Sequence, residues 1–462
     1  MTKNPAPETP DLKDAWRALI ALCIGFFMIL LDQTIVAVAT PDFQRELGAD
    51  LSQVVWVTSI YLLTFAVPLL VTGRLGDRFG QRRVYMAGMA LFTLSSLACG
   101  IAPNIETLII ARAVQGFGAS LLTPQTMAVI NRIFPRNKRG AAMGVWGAVA
   151  GLATLAGPLL GGVIVAHIGW QWIFFINVPI GVLSLILVYK WVPHLDTMAR
   201  KLDFFSVVLS ILGVFAIVFS VQEGPNLGWP LWLFGVLAVG IVLIAVFLRL
   251  QARATARGTE ALLPLEVFHN HNFSMGAFSI AMMGFAVAGT MLPIMLFLQD
   301  SAGLGAEKAG LMLAPMALIS GGLAPMVGRL SDVKHPRTLS MIGFGMMTGA
   351  MVALVIVMRD GVPYLFMLIP IIMMGFGNAF VWSPNSATSM RDVPMHIVGA
   401  ASGVYNTSRQ VGSVVGSAAI GAAMQVGVRH TSYGTAMGLS MILPALALLL
   451  GLIAVSRFTE RA

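Results

Sequence analysis

The sequence predicts an all-α integral membrane protein built by duplication, and three observations carry that prediction. Hydrophobic residues are 57% of the chain and charged residues 11%, with a mean hydropathy of +0.84; soluble domains sit nearer a quarter charged. The 462 residues divide into repeated apolar spans of about 20 residues, the length at which a helix crosses a bilayer. The chain also repeats itself: GAAMGVW at 140–146 returns as GAASGVY at 399–405, 259 residues later, and the same offset carries Gly157 onto Gly416 and Gly162 onto Gly421. The glycine-rich, charge-free stretch 140–162 suits a membrane helix, where small residues let backbones approach and neighbours restrain a kink at Pro158. In a soluble helix each interior Gly would cost about 1 kcal/mol relative to Ala.

Fourteen spans follow in order, with ends set to within a few residues. Helices 1 to 6 are expected at 18–40, 52–73, 84–102, 106–130, 140–166 and 172–192. Helices 7 and 8 fall at 204–222 and 230–250, followed by a polar stretch with Arg253, Arg257 and Glu260. Helices 9 to 14 fall at 273–299, 307–328, 338–358, 363–386, 397–425 and 434–456. The first apolar run is long and continues through Thr40 without a small-residue cleavage pattern, so it is expected to remain as helix 1. Cys23 and Cys99 both lie inside spans, which points to neither a disulfide framework nor a metal site.

The basic residues orient the bundle. Of the 29 Lys and Arg, 23 fall in tails and loops on the side of both termini, and only Arg45, Lys308, Arg359 and Arg429 fall opposite. That excess places both termini in the cytoplasm and requires an even number of spans. The formal charge of +9 is thus a topogenic signal, not a nucleic-acid footprint. A second register mark fixes the duplication: GRLGDR at 73–78 closes helix 2, and GRLSDV at 328–333 closes helix 10, 255 residues later. Helix 2 pairs with 10 and helix 5 with 13, so helices 1–6 match 9–14. The expected organisation is a six-helix bundle over 1–203, an inserted transmembrane hairpin over 204–250, a cytoplasmic linker over 251–272 and a second six-helix bundle over 273–462.

Charges inside apolar spans are expensive enough to be functional candidates. Asp32 lies about 21 Å into helix 1, and Arg112 about 10 Å from the opposite start of helix 4, at 1.5 Å per residue. Both occupy the outer half, where they can pair or share a polar cavity, and Asp32 is the one acid well inside a span. Its proton occupancy can therefore answer solvent access and substrate. Arg409 sits near the midplane of helix 13, beside Gln410 and one turn beyond Asn406; these polar groups either line a cavity or join helices. The candidate substrate cavity is Asp32, Gln33, Arg112, Gln115, Asn406, Arg409 and Gln410, with Asp32 and Arg112 as the proton-coupling pair. Glu223 reads as a loop residue and His167 as interfacial. Met283, Met291 and Met295 offer adaptable contacts or simple packing. No catalytic constellation and no phosphate-binding loop is visible, so neither an enzyme nor ATP drive is expected.

The loop GRLGDRFGQRR at 73–83 resembles the signature G-x-L-a-D-r-x-G-r-[KR]-x of the major facilitator superfamily, matching at Gly73, Leu75, Gly76, Asp77, Arg78, Gly80 and Arg82, with Gln81 where a basic residue is usual. RAVQGFGAS at 112–120 resembles the helix 4 motif, and GLATLAGPLLGG at 151–162 the helix 5 motif of proton-coupled exporters. LLDQTIVAVATP at 30–41 and WQWIFFINVPIG at 170–181 are similar to stretches of the fourteen-helix drug:proton antiporters, the second departing at Gln171, where Arg is usual. The resemblance implies a major facilitator fold and a cytoplasmic gate of Gly73, Asp77, Arg78, Gly80 and Arg82, in which Asp77 caps a helix start in the other half; by the pairing above, that start is near Ile397. It implies an antiporter helix marked by Gly151, Gly157, Pro158, Gly161 and Gly162. The implied activity is export of amphipathic small molecules in exchange for protons, by a monomer in the plasma membrane, without a cofactor. Export of an endogenous metabolite, lipid or siderophore, and a non-transporting membrane sensor, remain open alternatives.

Overall fold

The computed structural model describes residues 12–195, 197, 203–256, 265–333, 336–393 and 398–459. Ile397 and residues 257–264 of the expected linker, with Arg257 and Glu260, lie outside the described residues. Each expected span falls on helix, and no strand occurs among the described residues. Helix 1 runs Leu12–Ile35 and continues through a 3-10 turn into Thr40–Glu46. Helix 2 (Leu51–Ala66 and Leu69–Phe79) bends by 50° beside Pro68, which lacks the N–H that would continue the ladder. Helices 3, 4 and 5 are Gln81–Gly100, Ile105–Ile133 and Arg136–His167. Helix 6 is Trp172–Phe175 with Asn177–Trp191, and helices 7 and 8 are Phe204–Leu227 and Leu231–Ala256.

Helix 9 is His271–Leu296, ending in a π turn over Phe297–Ser301, and helix 10 is Ala306–Met312 with Ala314–Val333. Helices 11, 12 and 13 are Pro336–Val357, Leu368–Arg391 and Val398–His430, and helix 14 is Tyr433–Ser440 with Ile442–Ser456. Length and apolarity qualify eleven of these among the described residues as membrane-crossing, twelve with the bent helix 2. Two expected spans fall short of that standard. Helix 3 opens on Arg82 and Arg83 and carries Thr93, Ser95 and Ser96; in helix 5 the apolar segment is Ala156–His167.

The packing has an internal twofold. Helix 1 packs on 5 and 6, helix 3 on 4 and 6, and helix 2 on 4; correspondingly helix 9 packs on 13 and 14, helix 11 on 12 and 14, and helix 10 on 12. The two halves meet through helix 2 on 13 and helix 5 on 10, contacts that exchange under the pairing of helix 2 with 10 and 5 with 13. Helices 7 and 8 pack on each other, and helix 7 also leans on helices 13 and 2.

Among the described residues, side-chain contacts across the halves lie at the end of the bundle away from the chain termini. There Ser59 and Ser417 place their hydroxyls 3.0 Å apart, and Gln299 donates to the Val38 carbonyl at 2.8 Å. Glycines do the rest: a Cβ on Gly162 would strike the Ala306 backbone, one on Gly310 the Pro158 carbonyl, and one on Gly421 the Val55 side chain. One apolar core runs through this end from Ile35–Val57 to Ile280–Leu298 of the other half. Towards the terminal end, a Cβ added at Gly321, Gly322 or Gly403 would meet nothing within 4 Å among the described residues, although helices 10 and 13 both belong to the contact pairs. Among the described residues, the two halves meet directly at the distal end.

Candidate functional site

Helices 1, 4 and 6 bring four polar residues together in the interior of the first half. Asp32 is 0% exposed and Arg112 1%, and Arg112 Nη1 stands 2.5 Å from Asp32 Oδ2. Gln115 Nε2 donates to Asp32 Oδ1 at 3.0 Å, and Asn177 Nδ2 to the same oxygen at 3.2 Å. Arg112 is held in turn: Nη1 donates to Gln115 Oε1 at 2.7 Å, Nε donates to the Val57 carbonyl at 3.2 Å, and the guanidinium lies 4.1 Å from the Tyr61 ring centroid. The three-residue spacing of Arg112 and Gln115 puts both on one helical face. An ion pair withdrawn this far from water persists only when its remaining lone pairs and protons are also satisfied.

A second shell extends the network. Asn177 Nδ2 also donates to Ser96 Oγ at 3.0 Å, and Ser96 to the Phe174 carbonyl at 2.9 Å; Cys99 Sγ lies 3.6 Å from Gln115 Oε1. The buried Asn177 Oδ1 and Tyr61 hydroxyl have no hydrogen-bond partner among the described residues. Asn177 is the residue that reading the sequence missed. Its signal was a lone Asn in the apolar run WIFFINVPIG, within a stretch valued only for its resemblance.

The expected cavity divides into two. Asp32, Arg112 and Gln115 meet, whereas Gln33 lies beside Tyr61 and buries its amide nitrogen without a partner among the described residues. On helix 13, Asn406 donates to the Ser402 carbonyl at 3.0 Å, Gln410 is buried, and Arg409 stands 5.9 Å from the Trp382 ring centroid. None of the three bonds to the Asp32 network, because helices 4 and 6 of the first half enclose it.

Helix 5 links that network to the other half. Side chains added at Gly157 and Gly161 would strike Thr34, Ile35 and Val38, one turn beyond Asp32, while Gly162 and Pro158 lie against helix 10. The side-chain surroundings of Gly151 lie outside the described residues. Met283 and Met295 are fully buried in the core, as packing requires. At the terminal end Gly80, with φ +91°, breaks helix 2 from helix 3, a backbone angle that only glycine adopts freely. Asp77 accepts from Gln81 at 3.2 Å and from Arg132 at 3.4 Å. Gly73 packs on Pro124, Arg78 lies over Phe79, and Arg82 binds His194 and the Tyr189 carbonyl. The helix start that Asp77 was expected to cap, at Ile397, lies outside the described residues. At the distal end Glu223 is more than a loop residue: it accepts from Ser52 at 2.8 Å and from the Trp56 indole, tying helix 7 to helix 2. No group of three or more His, Cys, Asp or Glu that could hold a metal occurs among the described residues.

Known proteins share this architecture. The family model described as Major Facilitator Superfamily matches residues 22–417. An MFS-type transporter of Mycobacterium tuberculosis is 43% identical over 96% of this chain and 80% of its own length. The tetracenomycin C resistance and export protein of Streptomyces glaucescens is 31% identical over 88% of this chain and 76% of its own. The crystal structure of a D-xylose–proton symporter superposes with a TM-score of 0.67 at 15% identity, covering 96% of this chain and 98% of that one, a likeness of fold. With many membrane-spanning helices, the chain is a transporter and not an enzyme, and it belongs to the Major Facilitator Superfamily.

Proposed function

We propose that the chain is a secondary active exporter of amphipathic small molecules, driven by proton antiport through alternating access. In this reading it has fourteen membrane helices, two six-helix bundles and the 204–250 hairpin. It works as a monomer in the plasma membrane with both termini cytoplasmic, and it needs no cofactor. The observation that carries the proposal is the buried Asp32–Arg112 pair, closed by Gln115 and Asn177. A proton arriving on Asp32 removes the counter-ion of Arg112 and unbalances a network that three helices share. Helix 5, seated by glycine on helix 1 and on helix 10, then carries the change to the contact between halves. Relatives named for antibiotic resistance and export favour outward transport of foreign compounds. A relative named as a riboflavin transporter keeps an endogenous metabolite as the second reading. The test is drug accumulation in an efflux-deficient host expressing the chain, with and without a protonophore. Lower accumulation that the protonophore abolishes supports the proposal; unchanged accumulation across a broad ligand panel overturns drug export.

A further inference from the structure

Helix 13 carries a charge that no acid answers. Arg409 is the twelfth residue of Val398–His430, about 17 Å along it at 1.5 Å per residue. Among the described residues no carboxylate pairs with Arg409, and its side chain donates no hydrogen bond; it lies near the Tyr405 hydroxyl and beside the Trp382 ring. Arg112, the other arginine deep in the bundle, is neutralised by Asp32. That pair adds no net charge, so the uncompensated charge deep among the described residues is the positive one on Arg409. A lone charge at this depth is costly and is retained where it has work to do.

Tyr405, one turn before Arg409, is buried in the second half, whereas Trp382 faces the space between the halves. Trp382 is 36% exposed. On helix 12 it lies between the face that packs on helix 9, through Asn385 and Ser389, and the face that packs on helix 10, through Gly375. Its open side is therefore turned inward, away from lipid. The Trp382 indole donates to Asn378 Oδ1 at 3.1 Å, which fixes the plane of the ring. A cation beside a fixed aromatic face, in a space the first half leaves electrically neutral, selects for negative charge.

We propose that Arg409 and Trp382 form the binding site for an amphipathic organic anion, a carboxylate joined to a flat aromatic body. This rests on the reading of the chain as an exporter of amphipathic small molecules and narrows their class. The guanidinium offers a carboxylate two parallel N–H donors, and the indole offers an offset stacking surface to the ring. A neutral analogue keeps only the stacking, and a cationic one meets like charge.

The test is calorimetric titration of the full chain in lipid nanodiscs, with empty nanodiscs subtracted. The probes are 1-naphthaleneacetate, its methylamide and (1-naphthylmethyl)trimethylammonium. The acid is expected to bind at least about tenfold more tightly than the other two. Arg409→Gln is expected to weaken the acid by about tenfold or more while moving the other two less than about twofold; Arg409→Lys keeps the preference. Equal affinities in the unaltered chain, no binding of the acid, or an Arg409→Gln variant that binds the acid unchanged would each overturn the site. The ranking in the unaltered chain decides the matter even if Arg409→Gln fails to fold. Binding here needs no proton gradient: anion preference without proton-driven export overturns antiport and leaves the site, whereas export without anion preference overturns the site alone.

Discussion

The two halves pack alike and differ in chemistry. Helices 1, 4 and 6 enclose a paired Asp32 and Arg112 with amides on both. Helices 9, 12 and 13 hold a neutral cluster instead, in which Ser279 donates to Asn385 and Asn385 to the Tyr405 hydroxyl, with Arg409 between Tyr405 and Trp382 and paired with no carboxylate among the described residues. Duplication supplied one scaffold twice, and helix-to-helix contact preserved the scaffold in both copies. Among the described residues the buried charge pair occurs in one copy; in the proposed mechanism the proton acts on that half and the ligand on the other.

The largest test of that division is Asp32→Asn. It is expected to leave the protein in the membrane and to lower proton-driven export by ~100-fold, a contribution of about 2.7 kcal/mol. Full export at normal expression would remove Asp32 from the mechanism. Arg112→Leu alone strands a buried carboxylate and is expected to cost about 3–5 kcal/mol of stability, read as a lower unfolding temperature. Adding Asp32→Asn to it should recover much of that loss without recovering export, separating the structural share of the pair from its functional share.

Next in size is a lock on the distal end. Ser59→Cys with Ser417→Cys places two thiols where hydroxyls now stand 3.0 Å apart, within reach of a disulfide. Oxidation is expected to stop export by about tenfold or more, and reductant to restore it; Cys23 and Cys99 are buried and unpaired. Export that survives a verified crosslink would mean that the halves do not part there. A cysteine pair near Asp77 and Ile397 should behave oppositely, forming faster when the distal side is open. Crosslinking that ignores conformation would reduce Asp77 to a topogenic charge. The smallest effect is expected from Glu223→Gln, which weakens the hydrogen bonds from Ser52 and Trp56 by about 1 kcal/mol. Measured as distal opening by spin-label distances, a shift beyond about tenfold would give helix 7 a larger part than a side support.

Much of this was legible in the chain. The offsets that paired helix 2 with 10 and helix 5 with 13 also describe the packing, because a repeated small-residue face demands a repeated close approach. Asp32, Arg112 and Gln115 were legible as a group, since a charge inside an apolar span must find partners at its own depth. Asn177 was not, because a single amide in an apolar run has no spacing to mark it. The division of the cavity was not legible either. Depth along a helix follows from counting residues, but which neighbour encloses a side chain depends on helix rotation. The role of Glu223 was hidden for a related reason: it read as a loop residue, yet it binds helix 2, and next to it Gln425 of helix 13 donates to the Gln222 carbonyl at 3.3 Å.

The glycine seams at the distal end also bear on speed. Where Gly162 lies on the Ala306 backbone and Gly310 on the Pro158 carbonyl, backbone meets backbone with no side chain between, so parting these patches flips no rotamer there. Sliding friction along such a seam is low, and the work of parting it is mainly the loss of many shallow dispersion contacts, each about 0.1–0.2 kcal/mol. In the proposed alternating access, such a joint would part on the scale of collective motions, about microseconds to milliseconds.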